Sequence, residues 1–212
     1  CKEMGRHILA IKIDLRTIPG IQDLSIALHP LYKGYDMMGI TPPGAAQMIL
    51  IPTLDVDQHF ISLMNLKWKI PPADPFYYKN RNNIVINESA IEKLNLHANP
   101  LHEKVDQFNI AGVLKDFNWS SPEYKIVGLF VSVMNSEDSA ALWTGKGGCL
   151  YAKLSAGAHT AAVIDQLKSE YNKYDAATPF EYYFLDDAFD SLYKAESRLA
   201  NILTVFTTLS IV

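Results

Sequence analysis

The chain opens on a helical pattern. Met4, Ile8, Ile11, Leu15 and Ile18 recur at steps of four, three, four and three, which puts them on one face of an α-helix. Pro19-Gly20 then ends the helix, since proline cannot donate a helical hydrogen bond and glycine tolerates the turn that follows. Residues 21–28 (IQDLSIAL) read as a strand, residues 32–43 as a loop rich in Gly and Pro, and residues 47–54 as a second strand. Residues 57–64 read as a short helix capped by Asp57, whose carboxylate can accept from the free N–H groups of a first turn.

From about Leu66 the texture changes. Pro71, Pro72 and Pro75 crowd the stretch LKWKIPPADP, which predicts a connector rather than an element interior. Residues 84–86 form a short strand on pattern, and Asn87 is placed to cap a helix over 88–94. Residues 108–117 read as a strand with a bulge at Gly112, and residues 126–134 as a further apolar strand. After Gly145, Gly147 and Gly148 the pattern turns back. Residues 150–154 alternate like a strand, Thr160, Ile164, Leu167, Tyr171 and Tyr174 make a second helical stripe, and residues 180–185 (FEYYFL) read as a last strand.

The simplest assembly of these segments is an α+β fold. Residues 1–64 and 148–200 form a mixed α/β subdomain from both ends of the chain, and residues 66–146 are a β-rich subdomain inserted into it.

The C-terminal stretch has a different character. Asp186 and Asp187 offer a cap and favourable charge at the start of a helix. Phe189, Leu192, Leu199, Leu203 and Phe206 follow on one stripe, with Glu196 among them. Residues 199–212 (LANILTVFTTLSIV) carry no charge. They are too short to span a bilayer, which takes roughly 20 apolar residues. The expectation is that they begin a truncated transmembrane helix rising from the domain, a buried core helix being the alternative.

Composition narrows the chemistry. Hydrophobic residues are 49% and charged residues 20% of the 212, enough apolar material for a substantial core. Lys+Arg is 19 against Asp+Glu 23, a net charge of -4, with no basic run to neutralise phosphates, so nucleic acid is not an expected partner. Two cysteines, Cys1 and Cys149, make neither a disulfide framework nor a four-ligand zinc site.

No nucleotide, hydrolase or metalloprotease motif occurs. Gly145-Lys146-Gly147-Gly148 leads into a strand, not into a helix whose N–H groups would face a phosphate. His97, His102 and Glu103 around Asn99-Pro100 suggest a metal clip only weakly and read better as solvated turn residues. Asp116, Asn118 and Ser120 read as a turn after a strand. No catalytic residue, cofactor or metal is therefore expected. The candidate contacts to a partner are aromatic: Phe76, Tyr77 and Tyr78, set between prolines and the charges of Lys79 and Arg81, together with Trp119.

Several stretches resemble the extracytoplasmic core domain of MacB/FtsX-like ABC transporter permeases. They are the opening helix with IPGI and a strand, IVINESAIEKLNLHANPLHEKV, FNIAGVLKDFNWSSPEYKI with its GV.KDF signature, and FEYYFLDDAFDSLYKAESRLANILTVFTTLSIV. The likeness runs from about Ile8 to Val212. It departs at LKWKIPPADP, where members often carry a glycine-containing turn, and it does not foresee Phe76-Tyr77-Tyr78. The resemblance implies a porter-like subdomain with a β-rich insertion, on the periplasmic side of the inner membrane. It implies an ABC ATPase as a separate domain or subunit, a second permease copy, and a periplasmic adaptor or outer-membrane channel as further partners. It also implies mechanotransmission, in which ATP-driven movement of the stalks reaches the periplasm. The rival is a membrane-anchored periplasmic solute-binding or sensor module, which would carry a deep apolar pocket.

Overall fold

The computed structural model describes residues 2–101, 103–120, 125–135, 137–138, 140–141, 143 and 147–191, with side chains from His7 onward. Its helices are α1 (Lys2–Arg16), α2 (Phe60–Leu63), α3 (Glu88–Lys93) and α4 (Thr160–Tyr174), and residues 185–191 are also helical. The strands are β1 (Ile21–Ala27), β2 (Asp36–Ile40), β3 (Ile49–Asp57), β4 (Trp68–Ile70), β5 (Asn83–Asn87), β6 (Lys104–Val105), β7 (Phe108–Leu114), β8 (Phe130–Met134) and β9 (Cys149–Leu154).

All nine strands join one mixed sheet in the order β4-β7-β5-β8-β3-β1-β9, with β2 on β3 and β6 on β7. The pairs β3–β8 and β5–β7 are parallel, the rest antiparallel. The α+β class read from the hydrophobic pattern is the class observed.

Alternation along the strands divides the core. Leu54, Val56, Val85, Leu114, Val131 and Val133 face one side, where Phe60, Ile61 and Trp119 cover them. The other side carries two cores. In the first, Ile8, Ile11 and Leu15 of α1 and Val163 of α4 pack on Leu24 and Ile26. In the second, Ala90 and Leu94 pack on Ile84, Ile86, Ile110 and Phe130, with Ile40 and Ile51 beside them.

Two glycines read as punctuation have structural reasons. Gly20 takes φ +96° after α1, and a Cβ there would stand 2.9 Å from Val163. At Gly112 the ladder slips, Ile84 facing Ile110 while Val85 faces Gly112, so Ala111 is the extra residue of a bulge. A Cβ on Gly112 would meet Trp68 at 2.9 Å.

Other expectations are corrected. Residues 36–40, read as loop, form β2. Met38 and Ile40 turn inward, and Met48 covers the space above Gly39. Residues 68–70 of the proline-rich connector form β4 on β7. Ladder pairing begins at Phe130 rather than at residue 126, because the Leu129 N–H donates to the Asn87 side chain (2.8 Å). Residues 181–184 take no strand pairing at all. The expected membrane segment, 199–212, and the stripe positions from Leu192 onward lie outside the described residues. Among the described residues, no helix is long and apolar enough to cross a membrane.

Candidate functional site

The most unusual chemistry lies under α1. Lys12 stands one turn beyond Ile8, within the buried face, and its ammonium donates to the carboxylate of Asp57 at the end of β3. Asp57 is 0% exposed. Its Oδ1 also accepts from Ser25 Oγ of β1 (2.7 Å) and from the His59 N–H (3.0 Å). A buried carboxylate is tolerable only when it is paired and its lone pairs are used. Here three elements supply the partners, so Asp57 ties α1, β1 and the start of α2 together. Asp57 was expected as a helix cap; α2 instead begins at Phe60, beyond its reach as an N-cap residue. Burial, and next the nearby Lys12 charge, hold the His59 imidazole below its ordinary 6.5.

Beside this anchor the molecule has a cavity of about 540 Å³. Its roof is α1 and α4, through Ile11, Leu15, Ile164, Leu167 and Tyr171, and its floor is β9, from Leu150 to Leu154. Residues 178–185 run along its open side as a strap. The rings of Phe180, Tyr182 and Phe184 follow one another at 5.8 and 5.9 Å, and Phe180 meets Tyr171 at 5.4 Å. Tyr182, Tyr183 and Phe184 remain exposed. Lys33 lies over the Tyr183 ring at 3.7 Å, and Phe189 in the following helix packs on Tyr32 at 5.4 Å. Trp143 also lines the cavity, and among the described residues its buried indole N–H has no hydrogen-bond acceptor. The rival module called for an apolar pocket, and this one is apolar on most of its wall.

The aromatic residues singled out in the sequence separate into three environments. Phe76 is 53% exposed, with the Lys79 ammonium 4.3 Å from its ring centre. Tyr77 and Tyr78 are half-buried in a single 3₁₀ turn, Tyr77–Lys79. Tyr77 packs edge-on against Trp68 (6.1 Å), and burial pushes its phenol pKa up. Trp119 is 3% exposed, sealed into the core beneath Tyr35, whose ring stands edge-on at 5.0 Å. As a surface contact Trp119 is therefore corrected: its area is spent on the sheet. Sequence reading missed a second exposed apolar surface, Met37, Met48 and Leu50 on the outer side of the β2–β3 hairpin, because residues 32–43 read as loop.

Several polar candidates have structural work. Asn87 was expected to cap α3, but its side chain makes no cap bond. Its amide donates to Asp116 Oδ1 (2.8 Å) and to the Val127 carbonyl (3.0 Å). Asp116, read as a turn residue, takes over the cap: it accepts from Ser89 N–H (3.0 Å) and Ser89 Oγ (2.6 Å). The Glu88 carboxylate accepts in return from the Asp116 N–H (3.1 Å). His97 pairs with Glu103 at 3.2 Å, while His102, Gly145 and Lys146 lie outside the described residues. Among the described residues no three His, Cys, Asp or Glu side chains gather as a metal site. Cys149 is a free thiol, pushed by burial up to about 12.

No protein-family sequence model matches the chain, and no curated protein matches it. Solved structures do. The periplasmic region of MacB from Actinobacillus actinomycetemcomitans superposes with a TM-score of 0.55 at 15% identity, over 78% of this chain and 72% of that one. The extracellular domain of the noncanonic ABC-type transporter YknZ from Gram-positive bacteria gives 0.55 at 9% identity, over 80% and 84%. A domain of a proposed permease protein from Porphyromonas gingivalis gives 0.51 at 19% identity, over 80% and 82%. The mixed sheet, with α1 and α4 on one face, thus has the fold of the extracytoplasmic domains of MacB and YknZ.

Proposed function

We propose that this chain is the extracytoplasmic domain of an ABC transporter permease, that it performs no catalysis, and that it couples ATP-driven movement of membrane stalks to a periplasmic partner or substrate. The observation that carries this reading is the Lys12–Asp57 anchor. On this reading α1 continues a membrane stalk, and a stalk can move a domain only if it is fixed to that domain's rigid part. The buried ion pair joins α1 to the interior strand β3, and the fold shared with MacB and YknZ supports the same assignment.

The two-part organisation belongs to this proposal. Residues 1–64 and 148–200 serve as the stalk-bearing part and residues 66–146 as the insertion, although Ala140 and Trp143 of the insertion pack with α1 and β1, and Ile40 and Ile51 pack with the insertion's strands. The parts meet through the β3–β8 pair. Phe76 is the contact to a periplasmic adaptor, an outer-membrane channel or a second permease copy, supported by its exposure on the insertion.

The test is made on the full-length gene product in its own membrane. This segment should be cut by protease added outside spheroplasts, and an ABC ATPase should co-purify with the protein. Recovery in the cytosol, or a membrane protein without an ATPase, overturns the reading. The second reading, an anchored solute-binding or sensor module, is favoured by the 540 Å³ cavity. It predicts the same protease accessibility without the ATPase.

A further inference from the structure

We propose that the open edge of β9 is a docking site for an extended peptide segment, which adds as a further strand inside the groove bounded by β9, α4 and residues 178–185. This inference goes beyond the permease reading and does not rest on it.

Three features of the groove point to one kind of occupant. First, among the described residues β9 is the last strand of the sheet and pairs on one side only, with β1. Alternate residues of Cys149–Leu154 therefore aim N–H and C=O groups away from β1 into the cavity they line. Residues 180–184 run alongside without joining the sheet, although FEYYFL has the composition of a strand. Second, the apolar face of α4 above β9 is incompletely covered. Ile164, Leu167 and Tyr171 of α4 are only partly covered, and Ala152 beneath them is exposed. Apolar side chains projecting from one face of an added strand would fill that space, as strand addition requires. Third, carboxylates gather at the open side: Glu181 lines the groove, and Asp186, Asp187 and Asp190 stand exposed just beyond it, while Lys33 lies over the Tyr183 ring and Lys153 belongs to β9.

An acyl chain would satisfy the apolar walls and leave the row of backbone groups unpaired, at a cost for each one desolvated. A compact polar solute would find few side-chain partners. An extended peptide with apolar residues at alternate positions and a basic end matches all three features.

The probe is the hexapeptide acetyl-Val-Thr-Val-Thr-Val-Lys-amide, titrated into the full 212-residue chain by calorimetry and followed by amide hydrogen exchange. Binding should slow exchange in residues 149–154. A twin peptide methylated on alternate backbone nitrogens keeps its side chains and loses its strand hydrogen bonds, so it should bind about tenfold more weakly or worse. Ala152→Trp should fill the groove and abolish binding. Equal affinity for the methylated twin overturns the proposal. So does peptide binding that leaves exchange in β9 unchanged, or failure of the peptide where dodecanoate binds. If Ala152→Trp does not fold, the exchange pattern and the methylated twin decide on the unaltered protein.

Discussion

Lys12 and Asp57 stand 45 positions apart in the chain and share one buried ion pair, the Lys12 ammonium donating to Asp57 Oδ2. Such a pair contributes less to net stability than to fixing which elements meet, because its attraction largely offsets the desolvation of both charges. Breaking it from one side is different. Lys12→Met leaves Asp57 charged, buried and short of a partner, and should cost about 3–5 kcal/mol in urea unfolding. Adding Asp57→Asn to Lys12→Met should recover much of that, since the amide oxygen can still accept from Ser25. A double variant as unstable as the single one would show that the pair does not matter as a pair.

The second expectation concerns Asn87 and Asp116. Asn87→Ala strips partners from the Leu129 N–H and the Val127 carbonyl as well as from Asp116. Asp116→Ala removes the cap on Ser89, where about 1 kcal/mol is typical. Denaturant titration should find Asn87→Ala the more damaging, by about 2–3 kcal/mol in all. The reverse order would mean that the cap, rather than the β5–β8 link, holds this corner.

His59 sets a pH dependence. Its pKa in the fold is lowered by burial and by Lys12, so the unfolded chain takes up the proton first as pH falls. The stability associated with neutral His59 is complete above the ordinary pKa near 6.5 and is lost as pH drops below it. The Tm should fall between about pH 7.5 and 5.5, and His59→Gln should fall less. Parallel curves for the two proteins would remove His59 from the account.

Cys149 should resist alkylation. Its thiol is pushed up to about 12 by burial, and the thiolate is the reactive form. Iodoacetamide near about pH 8 should leave Cys149 largely unmodified in the native protein and modify it readily in denaturant. Peptide mass spectrometry distinguishes it from Cys1. Rapid native labelling at Cys149 would mean that β9 opens.

How legible the molecule was depended on the range of the interactions. The helices α1 and α4, the helix stop at Pro19-Gly20 and the Gly112 bulge depend on neighbours in sequence or on side-chain periodicity, and they stand where pattern put them, although in α4 Val163 rather than Thr160 is the buried position. The β2 strand did not show itself, since Gly39 and the prolines around it speak for a loop, while the deciding partner, residues 49–53, lies across a turn. Residues 180–185 erred the other way: β-rich composition predicts a strand, but a strand needs a partner that composition cannot supply. The exposure of Phe76 was legible as that of an aromatic group among prolines and charges. Trp119 looked the same and is core. Lys12 carried a signal that went unused, a lone cation between Ile11 and Leu15 on an otherwise apolar helix face. Its partner Asp57 resembled a cap because only the tertiary fold brings the two together.

The place of β1 in the sheet also governs how the chain is made. Ile26 pairs with Leu150, which follows it by 124 positions. At about 5–20 residues per second, ribosomes need roughly 6–25 s to supply β9 after β1 has been synthesised. Throughout that interval Leu24, Ile26 and the apolar stripe of α1 lack the cover that Leu150, Leu154 and Val163 will supply, and β1 presents a bare edge to any other nascent chain. Contacts of such long sequence separation also slow the closing step itself. Overexpression that outruns this closure should yield aggregates nucleated by residues 8–27 rather than by the later, more locally paired β5–β8 region.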